Sequence, residues 1–304
     1  MMGLAPLLAR AQGRRVYRIG VLETAAQALN AENFDRFRKG LEERGYVEGP
    51  TLVMLYRNAE GQTDRFEALA AELVKQKVDL ILTRGTPATM AARRATATIP
   101  IVTAAVAEPI PAANITGLTS ATADLASKRL ELLKALVPGM TRVAAYANLD
   151  NVAALSSWKE TEAAARTLKL EPLLLDVRSP EQIEPAFAEA ARRQAQGLVV
   201  GIETLTQSNR KTIVGLAARH KLPAIYASRD FVVDGGLVSY GVNYGELYYR
   251  AADYADRILK GAAPADLPIG RPDKFSIFIN RRTARDLGVV VPPDILLRAD
   301  RTLD

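Results

Sequence analysis

The chain has no cysteine and a single histidine, His220. The first absence removes disulfides, thiolate metal sites and cysteine nucleophiles together. The second removes every His-pair metal motif and leaves a serine-type triad possible only through His220. That residue ends a helical stretch ahead of Leu222-Pro223, where a cation suits the helix dipole and no catalytic role is indicated. No apolar run approaches the roughly 20 residues needed to span a bilayer. Neither G-x-x-x-x-G-K-[ST] nor a G-x-G-x-x-G after a strand is present, so no phosphate-binding loop is expected. Aromatics make up only 6 % of the chain, and no RNP-like or helix-turn-helix pattern occurs, so nucleic acid is not expected as a partner. The net charge of +6 comes from Lys and Arg mixed with acids along the whole chain, the pattern of solvated helix faces. No catalytic residue, cofactor or metal is expected.

What is present is an ordinary globular composition, 48 % hydrophobic and 24 % charged, over 304 residues. At roughly 150 residues per domain that length suggests two domains. Leu4 to Leu8 are apolar, and Ala9-Arg10-Ala11 before Gln12 has the A-x-A form of a secretory cleavage site. A basic n-region and a full apolar h-region are missing, so residues 1–15 read either as a residual leader, the remnant of a signal peptide, with the mature chain starting near Gln12, or as a frayed N-terminus in an Ala-rich chain.

Beyond the leader, strand and helix alternate. Val16 to Leu22 is β-branched and apolar, a buried strand of the parallel type. Phe34, Phe37 and Leu41 follow at helical spacing and stop at Gly45. Thr51 to Tyr56 is a second strand, and Phe66, Leu69, Ala70, Leu73 and Val74 mark an amphipathic helix. Val78 to Thr83 is a third strand, with a helix over Thr86 to Ala95. Strands at Ile99 to Val102 and Ile115 to Leu118 close the first series. A second series runs through helices at 124–137, 152–168 and 207–220 and one starting at Ser179-Pro180-Glu181. Its strands are Arg142 to Ala147, Pro172 to Val177, Gly197 to Ile202, Pro223 to Ala227 and Leu237 to Tyr240. Such alternation forces right-handed crossovers and parallel sheets covered on both faces. Two runs of it predict an α/β protein with two Rossmann-like lobes. The tail after Tyr240 opens with a long helix bearing Leu247, Ala251, Tyr254 and Ile258. Too short for a third domain, it is expected to pack back onto both lobes, so that several crossovers form a hinge. The expected division is 16–117 plus about 243–270 for the first lobe, and 118–242 plus about 271–304 for the second.

Ligands of open parallel sheets sit beyond the carboxyl ends of the strands. There, Thr83-Arg84-Gly85-Thr86-Pro87-Ala88 places Thr86 as helix cap and Pro87 in the first turn, a start that attracts an anion such as a carboxylate. Arg84 could add a charge-assisted bond. The matching loops carry Glu23 and Thr24, Glu108, Asn148, Glu203 and Thr204, Asp230, and Tyr240 and Asn243. Their carboxylates could hold an ammonium group, and Tyr240 could cover an apolar side chain. Trp158 reads as a packing residue.

Several segments also resemble one family in the same order: Arg18 to Leu22, Gly45 to Gly49, Ala70 to Val74, Gly85 to Ala88, Ile99 to Val102, Asn114 to Leu118, Lys128 to Leu133, Leu222 to Tyr226 and Leu237 to Gly241. Together the chain resembles the ABC-transporter substrate-binding proteins of the tryptophan-binding-protein-like type, over residues 16–300. The resemblance implies a type I periplasmic binding fold and a periplasmic or lipid-anchored receptor, and a monomer is expected. It implies delivery of a small carboxylate-bearing solute, an amino acid or aromatic acid, to a permease in the inner membrane. The solute carboxylate would then meet the Gly85–Ala88 start, and its ammonium an acid such as Glu108 or Asp230. The chain departs from the family in the short stretch Ile110 to Ala113 after Pro109, which alters one wall of the cleft, and in lacking a lipobox cysteine. Two other readings fit the composition: an α/β enzyme acting on a small anionic metabolite, and the ligand-sensing core of a regulator.

Overall fold

The structure is a computed structural model that describes residues 15–24, 26–120 and 125–304. The leader and its cleavage site lie outside the described residues. Two sheets organise the rest. The first holds β1 (Tyr17–Glu23), β2 (Leu52–Asn58), β3 (Leu80–Arg84), β4 (Ile101–Val106) and β5 (Ile115–Thr119), in the order β2-β1-β3-β4-β5 and all parallel. β3 and β4 are buried at every position because helices cover both faces. Alternation along each strand divides the core. Ile19, Val21, Leu80 and Leu82 face α1 (Ala31–Glu42), while Leu22, Ile81 and Ile101 face α2 (Phe66–Lys75) and α3 (Thr86–Ala95).

The second sheet runs β12-β11-β10-β9-β8-β6-β7. Its strands are β6 (Arg142–Ala147), β7 (Glu171–Asp176), β8 (Gly197–Val200), β9 (Ala224–Tyr226), β10 (Val238–Val242), β11 (Phe275–Asn280) and β12 (Arg301–Leu303). One face packs on α4 (Ala126–Leu136) and α5 (Val152–Thr167), the other on α6 (Ile183–Arg192) and on the segment beyond β8. The tail adds what the alternation did not announce. β11 pairs antiparallel with β10, and β12 extends the edge. The single helix expected over 207–220 is instead two, α7 (Thr204–Ser208) and α8 (Arg210–Arg219). Glu203 and Thr206 close a capping box that starts α7 three residues early, and Asn209 leaves helical geometry between the two. A short α9 (Arg229–Val233) follows β9.

The long tail helix, α10 (Tyr244–Leu259), leaves the second sheet and lies along α1. Their approach is close: a Cβ on Gly40 would sit 2.7 Å from the Ala252 Cβ. The chain then returns to the second sheet, and on the way Gly270 exchanges backbone hydrogen bonds with β5, donating to Gly117 O at 2.8 Å and accepting from Thr119 N at 2.9 Å. Gly117 has φ +124°, and a Cβ there would lie 2.3 Å from Thr103 O. Positive φ and a backbone clash act together, so Gly117→Ala is expected to cost at least about 2 kcal/mol. Urea unfolding checks this; a change below about 0.5 kcal/mol would contradict the stated contact.

The lobes touch across their seam. Ser208 Oγ donates to Thr24 O at 3.3 Å, Arg210 Nη1 donates to Leu29 O at 3.2 Å, and Arg229 forms an ion pair with Glu32. The carboxyl ends of the parallel strands of both sheets face this seam, the position the crevice rule requires.

Candidate functional site

A pocket at the seam is lined from both sides. The first lobe contributes Thr24, Arg84, Gly85, Thr86, Pro87, Ala105, Ala107 and Ser120; the second contributes Asn151, Ala153, Ile202, Glu203, Thr204 and Gln207; Tyr244 closes it at the start of α10. A wider cleft shares Thr86, Pro87 and Asn151 with it, opening outward past Met90, Arg94, Asp150 and Arg178.

Gly85, not Thr86, caps α3. Its φ of +83° is a conformation glycine adopts freely, and it places Thr86 in the first turn with Pro87 next to it. This corrects the expectation that the Thr86 side chain caps the helix. Its Oγ1 is buried and has no protein partner. The backbone N–H groups of Thr86 and Ala88 precede the first intrahelical bond, while the cap N–H of Gly85 donates to Ala105 O at 2.7 Å. A ten-residue helix thus directs donors and the positive end of its dipole at the seam.

Arg84 is only 3 % exposed. Its Nη1 donates to Asn30 Oδ1 at 3.0 Å, its guanidinium lies 4.6 Å from the centre of the Tyr244 ring, and its Nη2 has no protein partner. Asn30 also donates to Tyr248 Oη at 3.1 Å, and that hydroxyl donates to Glu23. The Glu23 carboxylate further accepts from Thr24 N at 3.1 Å. Glu23 therefore belongs to a buried network behind the pocket that fixes Arg84, and it does not line the pocket.

The second lobe supplies acceptors. Glu203 Oε1 accepts from Thr206 N at 3.0 Å, leaving Oε2 buried without a partner. Burial pushes the Glu203 carboxyl up to about 7, against the opposing pull of the backbone N–H groups of Thr206 and Leu205. Gln207, which lines the pocket, donates its amide to Asp230 Oδ2 at 3.3 Å and keeps a buried Oε1 without a partner. Thr204 Oγ1 is likewise without a partner. Burial raises the Tyr244 hydroxyl, so it stays protonated.

Of the residues singled out in the sequence, Thr24, Arg84, Gly85, Thr86, Pro87, Glu203 and Thr204 line the pocket. Ala88 turns its side chain into the first core. Glu108 is exposed and away from the pocket, Asp230 stands one residue behind it through Gln207, and Asn148 lies in the outer cleft. Asn243 caps α10. Tyr240 packs between two cores and against Phe275, while its carbonyl accepts from Arg129 Nε at 2.8 Å. The aromatic wall is Tyr244 instead. Gln207 escaped notice because it points inward only once α7 is a separate helix. Tyr244 followed the Asn243 cap, a signal that could have placed it at a helix start facing the seam.

A second chamber adjoins the first. Ala153, Ile202 and Glu203 line both, and the second extends between α4, α5, β6 and β8 to Tyr146, Trp158 and Thr161. Among the described residues there is no group of three or more His, Asp or Glu placed to hold a metal ion, and no helix is long and apolar enough to cross a membrane.

This arrangement, two α/β lobes with mostly parallel sheets, joined by repeated crossings with a polar pocket at their seam, defines a type I periplasmic binding fold. Residues 19–303 match the family described as ABC transporter substrate binding protein, and the chain belongs to that family. It is 27 % identical over 274 residues to a tyrosine-binding protein of Clostridioides difficile, covering 86 % of this chain and 79 % of that one. Among solved structures it is similar to an ABC domain from Streptococcus pneumonia in complex with L-Trp. That match has a TM-score of 0.87 and 25 % identity, and covers 95 % of this chain and 100 % of the other. A conserved domain protein from Vibrio cholerae matches with a TM-score of 0.88 at 23 % identity, covering 95 % of this chain and 100 % of that one.

Proposed function

We propose that the protein captures one zwitterionic α-amino acid at the seam of its lobes and, in the periplasm, presents it as a monomer to the permease of an ABC importer in the inner membrane. The observation that carries this reading is the division of unpartnered polar atoms. The first lobe offers donors at Arg84 Nη2 and the start of α3, and the second offers acceptors at Glu203 Oε2 and Gln207 Oε1, while the hydroxyls of Thr86 and Thr204, one on each lobe, can do either. Each such atom, buried without a partner, costs about 1–3 kcal/mol. A carboxylate satisfies the first set and an ammonium the second, and only when both lobes close on one molecule. Differential contact with the closed arrangement then drives closure, with no covalent chemistry. The tyrosine-binding relative and the structure holding L-Trp support an amino acid as the solute.

Affinity should depend on pH. The ammonium needs Glu203 ionised, yet its carboxyl titrates at about 7. Below that value a proton must leave before the ammonium binds, so affinity falls up to about tenfold per pH unit. Calorimetric titration with L-tyrosine from pH 8 to pH 5.5 should show a plateau above about 7.5 and a decline below it. A flat profile across the range would separate Glu203 from the ammonium.

A further inference from the structure

We infer that the junction of α7 and α8 is a latch between the lobes, centred on Arg210, which closes part of the population without a solute and so sets affinity from outside the pocket. The inference goes beyond the amino-acid reading and stands without it.

The junction ties the second lobe's share of the pocket to the first lobe. Gln207 lines the pocket, Ser208 beside it donates Oγ to Thr24 O at 3.3 Å, and Arg210 donates Nη1 to Leu29 O at 3.2 Å. Both receiving residues border the first lobe's share: Thr24 lines the pocket, and Leu29 precedes Asn30, whose side chain holds Arg84. The fit is tight. Gly61 donates its N–H to Thr24 O at 3.2 Å, and a Cβ added to it would come within 3.0 Å of the Ser208 Cβ.

The surroundings of Arg210 suit a latch. Its Nε donates to Asp234 Oδ2 at 2.6 Å, in an ion pair whose side chains are only 12 % and 14 % exposed. Asp234 belongs to the same lobe, so the charge stays compensated whether the lobes are together or apart. The bond from Nη1 to Leu29 forms only when they are together. Neither residue lies where the chain passes between the lobes, which it does from β5 to α4, from β10 to α10 and from α10 to β11. A contact made in one arrangement alone favours that arrangement, whatever the solute. A single hydrogen bond from a buried cation shifts the balance about tenfold. Arg229 adds an ion pair to Glu32 on α1, but Glu32 is 73 % exposed, so that pair contributes less.

Lobe separation in the ligand-free protein tests the latch. The chain has no cysteine, so spin labels attached at Gln62→Cys and Glu181→Cys, exposed on opposite walls of the outer cleft, report that distance by pulsed double resonance. The otherwise wild-type chain should show a distinct short-distance population. Arg210→Lys keeps a cation for Asp234 but has no second arm for Leu29, and should deplete that population at least about fivefold. Glu32→Gln, a change at an exposed position that spares the fold, should deplete it about twofold, and it decides the matter if Arg210→Lys fails to fold. With L-tyrosine and L-tryptophan as solutes, Arg210→Lys should weaken both by the same factor, about tenfold, mainly through faster dissociation. The absence of a short-distance population from the ligand-free chain would overturn the latch, as would a population that the variants leave unchanged. A loss of affinity confined to one of the two solutes would also overturn it, because a latch is blind to what it encloses. Failure of both amino acids to bind wild type overturns the amino-acid reading alone, and the ligand-free distances still decide the latch.

Discussion

Glu203→Gln should weaken amino-acid binding at least a hundredfold at pH 8 while making the ligand-free protein more stable. Both effects come from one buried oxygen. Ionised, Glu203 Oε2 is an acceptor without a protein partner beside the seam, and it supplies the charge that an ammonium requires. Removing a desolvated charge partner costs about 2–5 kcal/mol of binding. For stability the sign runs the other way. The carboxyl titrates at about 7 in the folded chain against an ordinary 4.5, so folding favours its protonated form. That contribution is fully present below pH 4.5 and is lost as pH rises through 7, where the ionised group becomes a burden on the fold. Glutamine keeps an oxygen for Thr206 N without the charge. Its advantage at pH 8 should be on the order of 1–3 kcal/mol, the scale of the shift at 1.36 kcal/mol per unit, and should disappear near pH 4.5. Urea unfolding at the two pH values reads it. A variant less stable than wild type at pH 8 would contradict the dry environment ascribed to this carboxyl.

Thr86→Phe carries the second large effect. The Thr86 side chain is half-buried, with no protein bond to lose, and sits in the first turn of α3, where the proposal puts the solute carboxylate. A phenyl ring there occupies the space in front of the helix start and removes a donor. Affinity should fall at least about a hundredfold, the scale of one charge-assisted hydrogen bond lost together with a steric block. The fold has little reason to change, because Pro87 and Gly85 set the helix start. Thermal unfolding without ligand should stay within a few degrees of wild type, whereas the stabilisation produced by an amino acid should vanish. Undiminished affinity would remove the α3 start from the site.

The two α/β lobes were legible because they rest on signals that tertiary context rarely overrides: apolar stretches such as Leu80 to Leu82 and helical spacing such as Phe66 to Val74. What resisted reading depends on contacts distant in sequence. β11 is an edge strand whose alternating pattern is set by pairing with β10, and nothing between Lys260 and Lys274 announces that return. The break between α7 and α8 follows from a capping box in which a glutamate, not a serine or threonine, caps the helix. At the site, the glycine-proline turn at Gly85–Pro87 marked a helix start at the seam. It did not show that glycine would take the cap and free Thr86, because that depends on Gly85 N–H being held by Ala105 on the neighbouring strand. The choice among loop acids was also beyond the sequence. Glu23, Glu108, Glu203 and Asp230 all follow strands, yet Glu23 is held by Tyr248, Glu108 faces solvent, Asp230 is bonded by Gln207, and Glu203 alone of these keeps an unpartnered oxygen in the pocket.

The sharpest single measurement is a calorimetric comparison of L-tyrosine with tyramine, which lacks the carboxylate, and with 3-(4-hydroxyphenyl)propionate, which lacks the ammonium. Opposed donor and acceptor lobes predict that tyrosine binds and that each truncated compound binds at least about a hundredfold more weakly, since each leaves one lobe's buried polar atoms unmatched. Comparable affinity for tyrosine and either truncated compound would contradict recognition of both charges across the seam.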